Sequence, residues 1–373
     1  PPTAHPPPRP PPPAPALRPP PTPPHPRHPP ARPPPRAPPP TRVYANTLPT
    51  PEEEFFRARE WGHLADWLTE LKPHYQTARR MLGSTDNPME TAPDRALRAV
   101  ARRMGRERHL SPAPVGVYFG EAGITVADPY HQGEGPPRTG CSFCGGCMTG
   151  CRYGSKNTLD MNYLWLAEGR GATVKADTEV TWVRPLGRDG ANPAVSPGAG
   201  YTVTARERTG PFRKTRQSYR AKNVIFAGGS LGTVDLLLRL RKNPDGLPEL
   251  SERVGDRVRT NSEVLVGITT ERRDLDLSEG VVITSILKTD DRSYVEPVRF
   301  SPGSGFFRML AMPHGPGKTF LRRLGNAVAR LLRTPIRSVR ALLVPDWARY
   351  TTTFLYMRTL EGYIRLTSGR GPF

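Results

Sequence analysis

Twenty-four of the first forty residues are proline, and no acidic residue interrupts them. Proline removes a backbone donor and fixes φ, so this tract forms neither helix nor sheet and is expected to stay solvated as polyproline II or disordered chain. A stiff linker or a ligand for SH3-type grooves would have this composition. So would a GC-rich gene read out of frame, because Pro, Arg, Ala, His and Thr dominate it. The abrupt change of composition at Arg42 favours a frameshifted or misassigned start over residues 1–41. Folding is left to residues 42–373, enough for two domains and a sizeable core.

All four cysteines, Cys141, Cys144, Cys147 and Cys151, fall within eleven residues. The spacing C-x2-C-x2-C-x3-C can wrap an iron-sulfur cluster, with Gly145, Gly146 and Gly150 easing the turns. A zinc knot, disulfides, or a loop whose thiols only pack compete with that reading. Zinc ligand pairs usually stand further apart, and disulfides between such close neighbours strain the loop. Arg152 follows the last cysteine where bacterial ferredoxins have proline, and there is no second set. Cluster and packed loop both remain open.

Downstream, Lys156 to Leu166 is expected to start a helix. The segments ATVKADTEVTWVRPL, YTVTARER and SYRAKNVIFAGG are expected to be strands, the last ending in a glycine turn before the helix SLGTVDLLLRLR. Strand, Gly-Gly and helix suit a nucleotide pyrophosphate, although many crossovers need glycine only for packing. Phe55 to Leu82 reads as helix interrupted at Pro73, with an apolar stripe through Trp61, Leu64, Trp67, Leu68 and Leu71. Asp94 to Met104 reads as another helix. The runs EVLVGITT, GVVITSIL, SYVEPVRF and FFRMLAMP over residues 264–312 suit an antiparallel sheet.

The net charge is +20. Basic excess of this size raises nucleic acid as a partner, but nearly all of it is scattered arginine without a nucleic-acid motif, so none is expected. One stretch, Lys318 to Leu343, places apolar residues at helical spacing opposite arginines, with a break expected near Pro335. It suits either a surface helix covering the fold or a helix lying on an anionic membrane. No apolar run is long enough to span a bilayer, and the start has no apolar signal segment. A cytoplasmic protein, or one peripheral to a membrane, is the corresponding expectation.

Five segments, in order, resemble the FAD-dependent glucose-methanol-choline oxidoreductases, most closely their cholesterol oxidase-like branch. They are VYANT at 43–47, CGGCMTGCRYGSKNTLDMNYL at 144–164, NVIFAGGSLGTVDLLLR at 223–239, VGDRVRTNSE at 254–263 and YVEPVRF at 294–300. The resemblance implies an α/β (α+β) fold, with a partial FAD-binding Rossmann-like domain over 42–262 that carries an inserted helical segment and the cysteine loop. A mixed-sheet substrate domain would follow over 263–373. It implies Asn46 against the flavin ring, the main chain of Val180 at the adenine, and Ala227, Gly228, Gly229 and Thr233 as a second FAD-contacting turn. Glu296 stands where such enzymes place the glutamate that moves a proton on the steroid, with a solvated strand-end glutamate as the plainer alternative.

The departures are equally specific. The family's G-x-G-x-x-G fingerprint is absent, and no histidine here stands in the context of its catalytic one. The resemblance therefore implies a chain truncated at both ends, with weak or no FAD binding and no turnover. The expected intact enzyme oxidises a sterol or related lipid alcohol, with FAD as cofactor and oxygen or an electron carrier as acceptor. The alternative is an iron-sulfur carrier or non-catalytic interaction protein with a proline-rich arm.

Overall fold

The computed structural model describes residues 44–187, 197–208, 210, 213–311, 315–359 and 362–369; the proline-rich segment 1–41 and Val43 lie outside them. In chain order they form α1 (Glu53–Phe56), α2 (Trp67–Met81), β1 (Ser84–Asp86), α3 (Ala92–Arg103), β2 (Leu110–Pro112), β3 (Pro114–Gly116), β4 (Thr125–Val126), β5 (Arg138–Thr139) and α4 (Tyr163–Gly169). There follow β6 (Thr178–Gly187), β7 (Pro197–Arg208), β8 (Lys214–Ala221), α5 (Gly229–Arg241), β9 (Glu263–Thr269), β10 (Ser285–Asp290) and β11 (Ser293–Val298). The described chain then runs through α6 (Phe320–Arg333), α7 (Pro335–Leu342), α8 (Trp347–Tyr350) and β12 (Thr351–Arg358).

The fold is mixed α/β, of the α+β kind. An antiparallel meander, β6-β7-β8, carries α5 through a core of Val183, Leu236 and Leu240, the part of a Rossmann-like domain that the described residues hold. A five-stranded antiparallel sheet in the order β2-β10-β11-β12-β9 makes the second sheet unit. Its inner surface meets the main core, where Val115, Val117, Val281, Val282, Ile283, Val298, Phe300 and Trp347 cluster with Cys141 and Cys147.

The start of α3 explains how that sheet is pinned. Thr91 caps the helix by accepting from the Asp94 N–H, and the Asp94 carboxylate accepts from the Thr91 N–H, so two of the first turn's orphan donors are satisfied. Asp94 also accepts from Thr284 and Ser285 of the sheet. Arg299, fully buried, donates to the Val281 carbonyl and the Thr91 hydroxyl and lies 4.0 Å from the Asp94 carboxylate. Burial pulls the Arg299 guanidinium down to about 10, and the Asp94 charge opposes that shift.

Several local expectations are corrected. Pro73 lies inside α2 rather than ending it; only one intrahelical donor is lost, on a helix with no buried residue. The proposed apolar stripe is therefore not a core face, and Leu64 is exposed. FFRMLAMP as far as Ala311 lies in a 3-10 helix, Gly305–Ala311, not a strand, and Met312 and Pro313 lie outside the described residues. Lys156 to Leu166 begins with a 3-10 turn, Leu159–Met161, and becomes α-helical only at Tyr163. The third strand ends at Ala221, and Ile225 beyond it is 89% exposed. The stretch from Lys318 does form two helices parted at Pro335, as its periodicity predicts. No helix among the described residues is long and apolar enough to cross a membrane.

Candidate functional site

A cavity of about 310 Å3 lies against the five-stranded sheet, within the size range of small-molecule sites. Its sheet wall is Leu265 and Gly267 of β9, Val298 of β11, and Thr353 and Leu355 of β12. Phe300, Phe307 and Trp347 close it with aromatic surface, Phe300 stacking on Phe307 at 4.4 Å between ring centroids. Ala45 and Met148 supply another wall, and Asn261 and Glu263 add polar groups. The turn at 44–47, the cysteine loop, the segment ending at Glu263 and the strand YVEPVRF thus meet around one mostly apolar space.

Register places Glu296 on that same face. Leu355 pairs with both Glu296 and Leu265, and Thr353 with both Val298 and Gly267. Cross-strand partners share a face, so Glu296 continues the row that lines the cavity. It is 2% exposed. Burial, and then the Glu263 carboxylate, push its pKa from 4.5 up to about 7. A carboxyl balanced near neutrality beside an apolar space can take and return a proton.

The turn at residues 44–47, before α1, is built around one buried cation. Lys156, 1% exposed, donates to the Tyr44 and Cys147 carbonyls and sits 4.2 Å above the Tyr44 ring. These two carbonyls immediately precede Ala45 and Met148. Burial lowers the Lys156 pKa to about 8. Asn46, next in the turn, has φ of 60° and no exposure, and neither atom of its amide meets a partner in the protein. An asparagine tolerates the left-handed region better than most residues, but a buried amide with both groups unpaired costs free energy. A polar group bound there would satisfy it.

The remaining cofactor candidates are elsewhere. Val180 is on β6, and Ala227, Gly228, Gly229 and Thr233 surround the start of α5. The Gly228 N–H donates to the Thr233 hydroxyl, and Gly229 has φ of 75°. The exposed helix N-terminus is suited to a phosphate. None of these five residues lines the cavity beside Glu296.

The structure gives no support to the metal reading of the cysteines. Cys141, Cys144, Cys147 and Cys151 surround a space of about 20 Å3, room for about one water. Among the described residues no group of three or more His, Cys, Asp or Glu side chains is arranged to hold a metal ion. All four are free thiols. Burial pushes Cys141 up to about 11 and Cys147 up to about 12, which keeps both protonated and apolar in the main core. The short spacing that suggested ligation instead packs a loop: Gly145, left-handed at φ of 67°, donates to Gly280, which donates back to Phe143.

Sequence reasoning missed Lys156, Glu263 and the aromatic wall. Lys156 and Phe300 lie within the recognised segments, whereas Trp347 carries no local signal. No family model matches the chain. It is 37% identical over 337 residues, 89% of its length, to a curated cholesterol oxidase of Acinetobacter baumannii. It is 41% identical over 340 residues, 88% of its length, to curated cholesterol oxidases from two strains of Mycobacterium tuberculosis. The chain spans 57–59% of these relatives' length and is related in sequence to proteins of that name.

Proposed function

We propose that the chain belongs to an FAD-dependent oxidoreductase acting on the CH–OH group of a sterol or related lipid alcohol. The observation that carries this reading is the convergence of four family-like segments on one apolar cavity, with Glu296 on its sheet face. FAD, when bound, would supply a hydride acceptor for the carbinol carbon, the hydroxyl proton passing to a base, and would hand the electrons to oxygen or a carrier. Asn46 would meet the flavin, and the main chain at Val180 and the turn Ala227-Gly228-Gly229 with Thr233 would hold the remainder of the dinucleotide. The aromatic wall of Phe300, Phe307 and Trp347 would exclude water from an apolar substrate. Glu296, as the carboxylate, would remove a proton from the carbon between the new ketone and a ring double bond. The resulting carboxylic acid would return it at the far end of that double bond, moving the unsaturation into conjugation.

Protein purified from the intact gene is expected to carry flavin and to lose its visible absorbance when cholesterol is added without oxygen. Glu296→Gln is expected to keep that bleaching but abolish the conjugated-enone absorbance of the product. Flavin-loaded protein unaffected by cholesterol and by long-chain alcohols would refute the assignment.

A further inference from the structure

The helices α6 and α7 have a surface that nothing in the described chain covers. No residue of α6 is buried. Phe320, Leu321 and Leu332 are 75%, 77% and 74% exposed, and Ile336 on α7 is 68% exposed. At 100° per residue, Phe320, Leu324, Val328 and Leu332 fall within one-third of the helix circumference, while Arg322, Arg323, Arg330 and Arg333 occupy the opposite side. Lys318 to Leu343 contains seven basic residues and no acidic one. A contiguous apolar stripe of this kind is unusual on a free surface and marks an interaction site. The flanking charge selects the partner, because an apolar face bordered by arginines matches a bilayer bearing anionic headgroups.

We propose that α6 and α7 dock on an anionic lipid surface, lying in the plane of the headgroups with the apolar stripe inserted. The two ends of this insertion give the docking a use. The 3-10 helix before it carries Phe307, and α8 after it carries Trp347; both side chains line the cavity. The Arg308 guanidinium donates to the Val344 carbonyl and ties the two ends together. Docking therefore sets the cavity's aromatic wall close to the membrane from which a lipid alcohol would come. That delivery role rests on the sterol reading of the cavity, whereas docking itself does not.

The test is co-sedimentation of the full chain with sterol-free phosphatidylcholine vesicles, with and without phosphatidylglycerol, at low and high salt. Binding is expected only with phosphatidylglycerol, and it weakens as salt rises. Leu321→Asp and Leu332→Asp should each lower partitioning by about tenfold, and Arg322→Glu by at least about fivefold. Because these side chains are exposed, near-UV circular dichroism and the unfolding midpoint should stay unchanged. Absence of binding to anionic vesicles would overturn the proposal, as would equal binding to neutral vesicles. A lipid-free dimer dispersed by Leu321→Asp would overturn it in favour of self-association. Vesicle binding that persists in protein inert toward sterols would leave docking standing and remove the delivery role.

Discussion

Replacing Glu296 by glutamine is expected to stabilise the protein, and to do so increasingly as pH rises. The folded carboxyl titrates at about 7 against an ordinary value of 4.5. Below the lower value both states are protonated, and the residue adds no pH dependence. Between the two, the unfolded chain releases its proton while the folded one keeps it, so folding loses free energy as pH increases. Each pH unit of that difference is worth roughly 1.36 kcal/mol, so the full penalty is about 3 kcal/mol, of which about 2.5 kcal/mol develops between pH 5 and pH 8. Glutamine fills the same space without ionising and removes this slope. Urea unfolding of both proteins at about pH 5 and about pH 8 measures it directly. Glu263→Gln removes only the lesser cause, so its slope should shrink without vanishing. If wild type and Glu296→Gln keep the same stability difference at both pH values, Glu296 is not held near neutrality, and its role as a proton carrier fails with it.

Asp94→Ala strands the buried Arg299 charge and should cost about 3–5 kcal/mol in urea unfolding; a cost below about 1 kcal/mol would mean that the network does not pin the sheet. Gly229→Ala must hold a side chain at φ of 75°, costing about 1–2 kcal/mol, and should weaken FAD uptake, followed by flavin fluorescence. Lys156→Met leaves the Tyr44 and Cys147 carbonyls without their donor and should cost about 1–3 kcal/mol for each. Thiol alkylation of native protein near neutral pH should spare the buried Cys141 and Cys147 and reach Cys144 and Cys151 first; four equal rates by mass spectrometry would contradict the packed loop.

What could be foreseen depended on whether local pattern or distant packing decided the outcome. Segregation of arginine from leucine and valine along Lys318 to Leu343 is a local signal, and it gave two helices broken at Pro335. YVEPVRF opens on aromatic and β-branched residues that favour a strand, and Ser293–Val298 form β11. FFRMLAMP has similar apolar density, yet as far as Ala311 it coils into a 3-10 helix whose Phe307 stacks on Phe300. The cysteine spacing was ambiguous by nature, because small residues between thiols serve a tight core loop as well as a cluster. Glu296 could be named from its segment, but not its environment: Glu263 and Leu355 reach it only through β9 and β12. Arg299 likewise gave no hint of full burial, since its partners Thr91 and Asp94 lie some two hundred positions away.

The Lys156 ammonium is a single fastening shared by two structures, the turn bearing Asn46 and the loop bearing the thiols. Each is also held elsewhere, the turn by the Gly116 N–H donating to the Asn46 carbonyl and the loop by the Gly145–Gly280 pair, so Lys156 is the link between them rather than their only anchor. A ligand that draws Asn46 toward itself pulls on Tyr44, and through Lys156 on Cys147. The slow labelling of buried Cys147 is then expected to change when the neighbouring cavity is filled, which would make a residue with no part in the chemistry a gauge of binding.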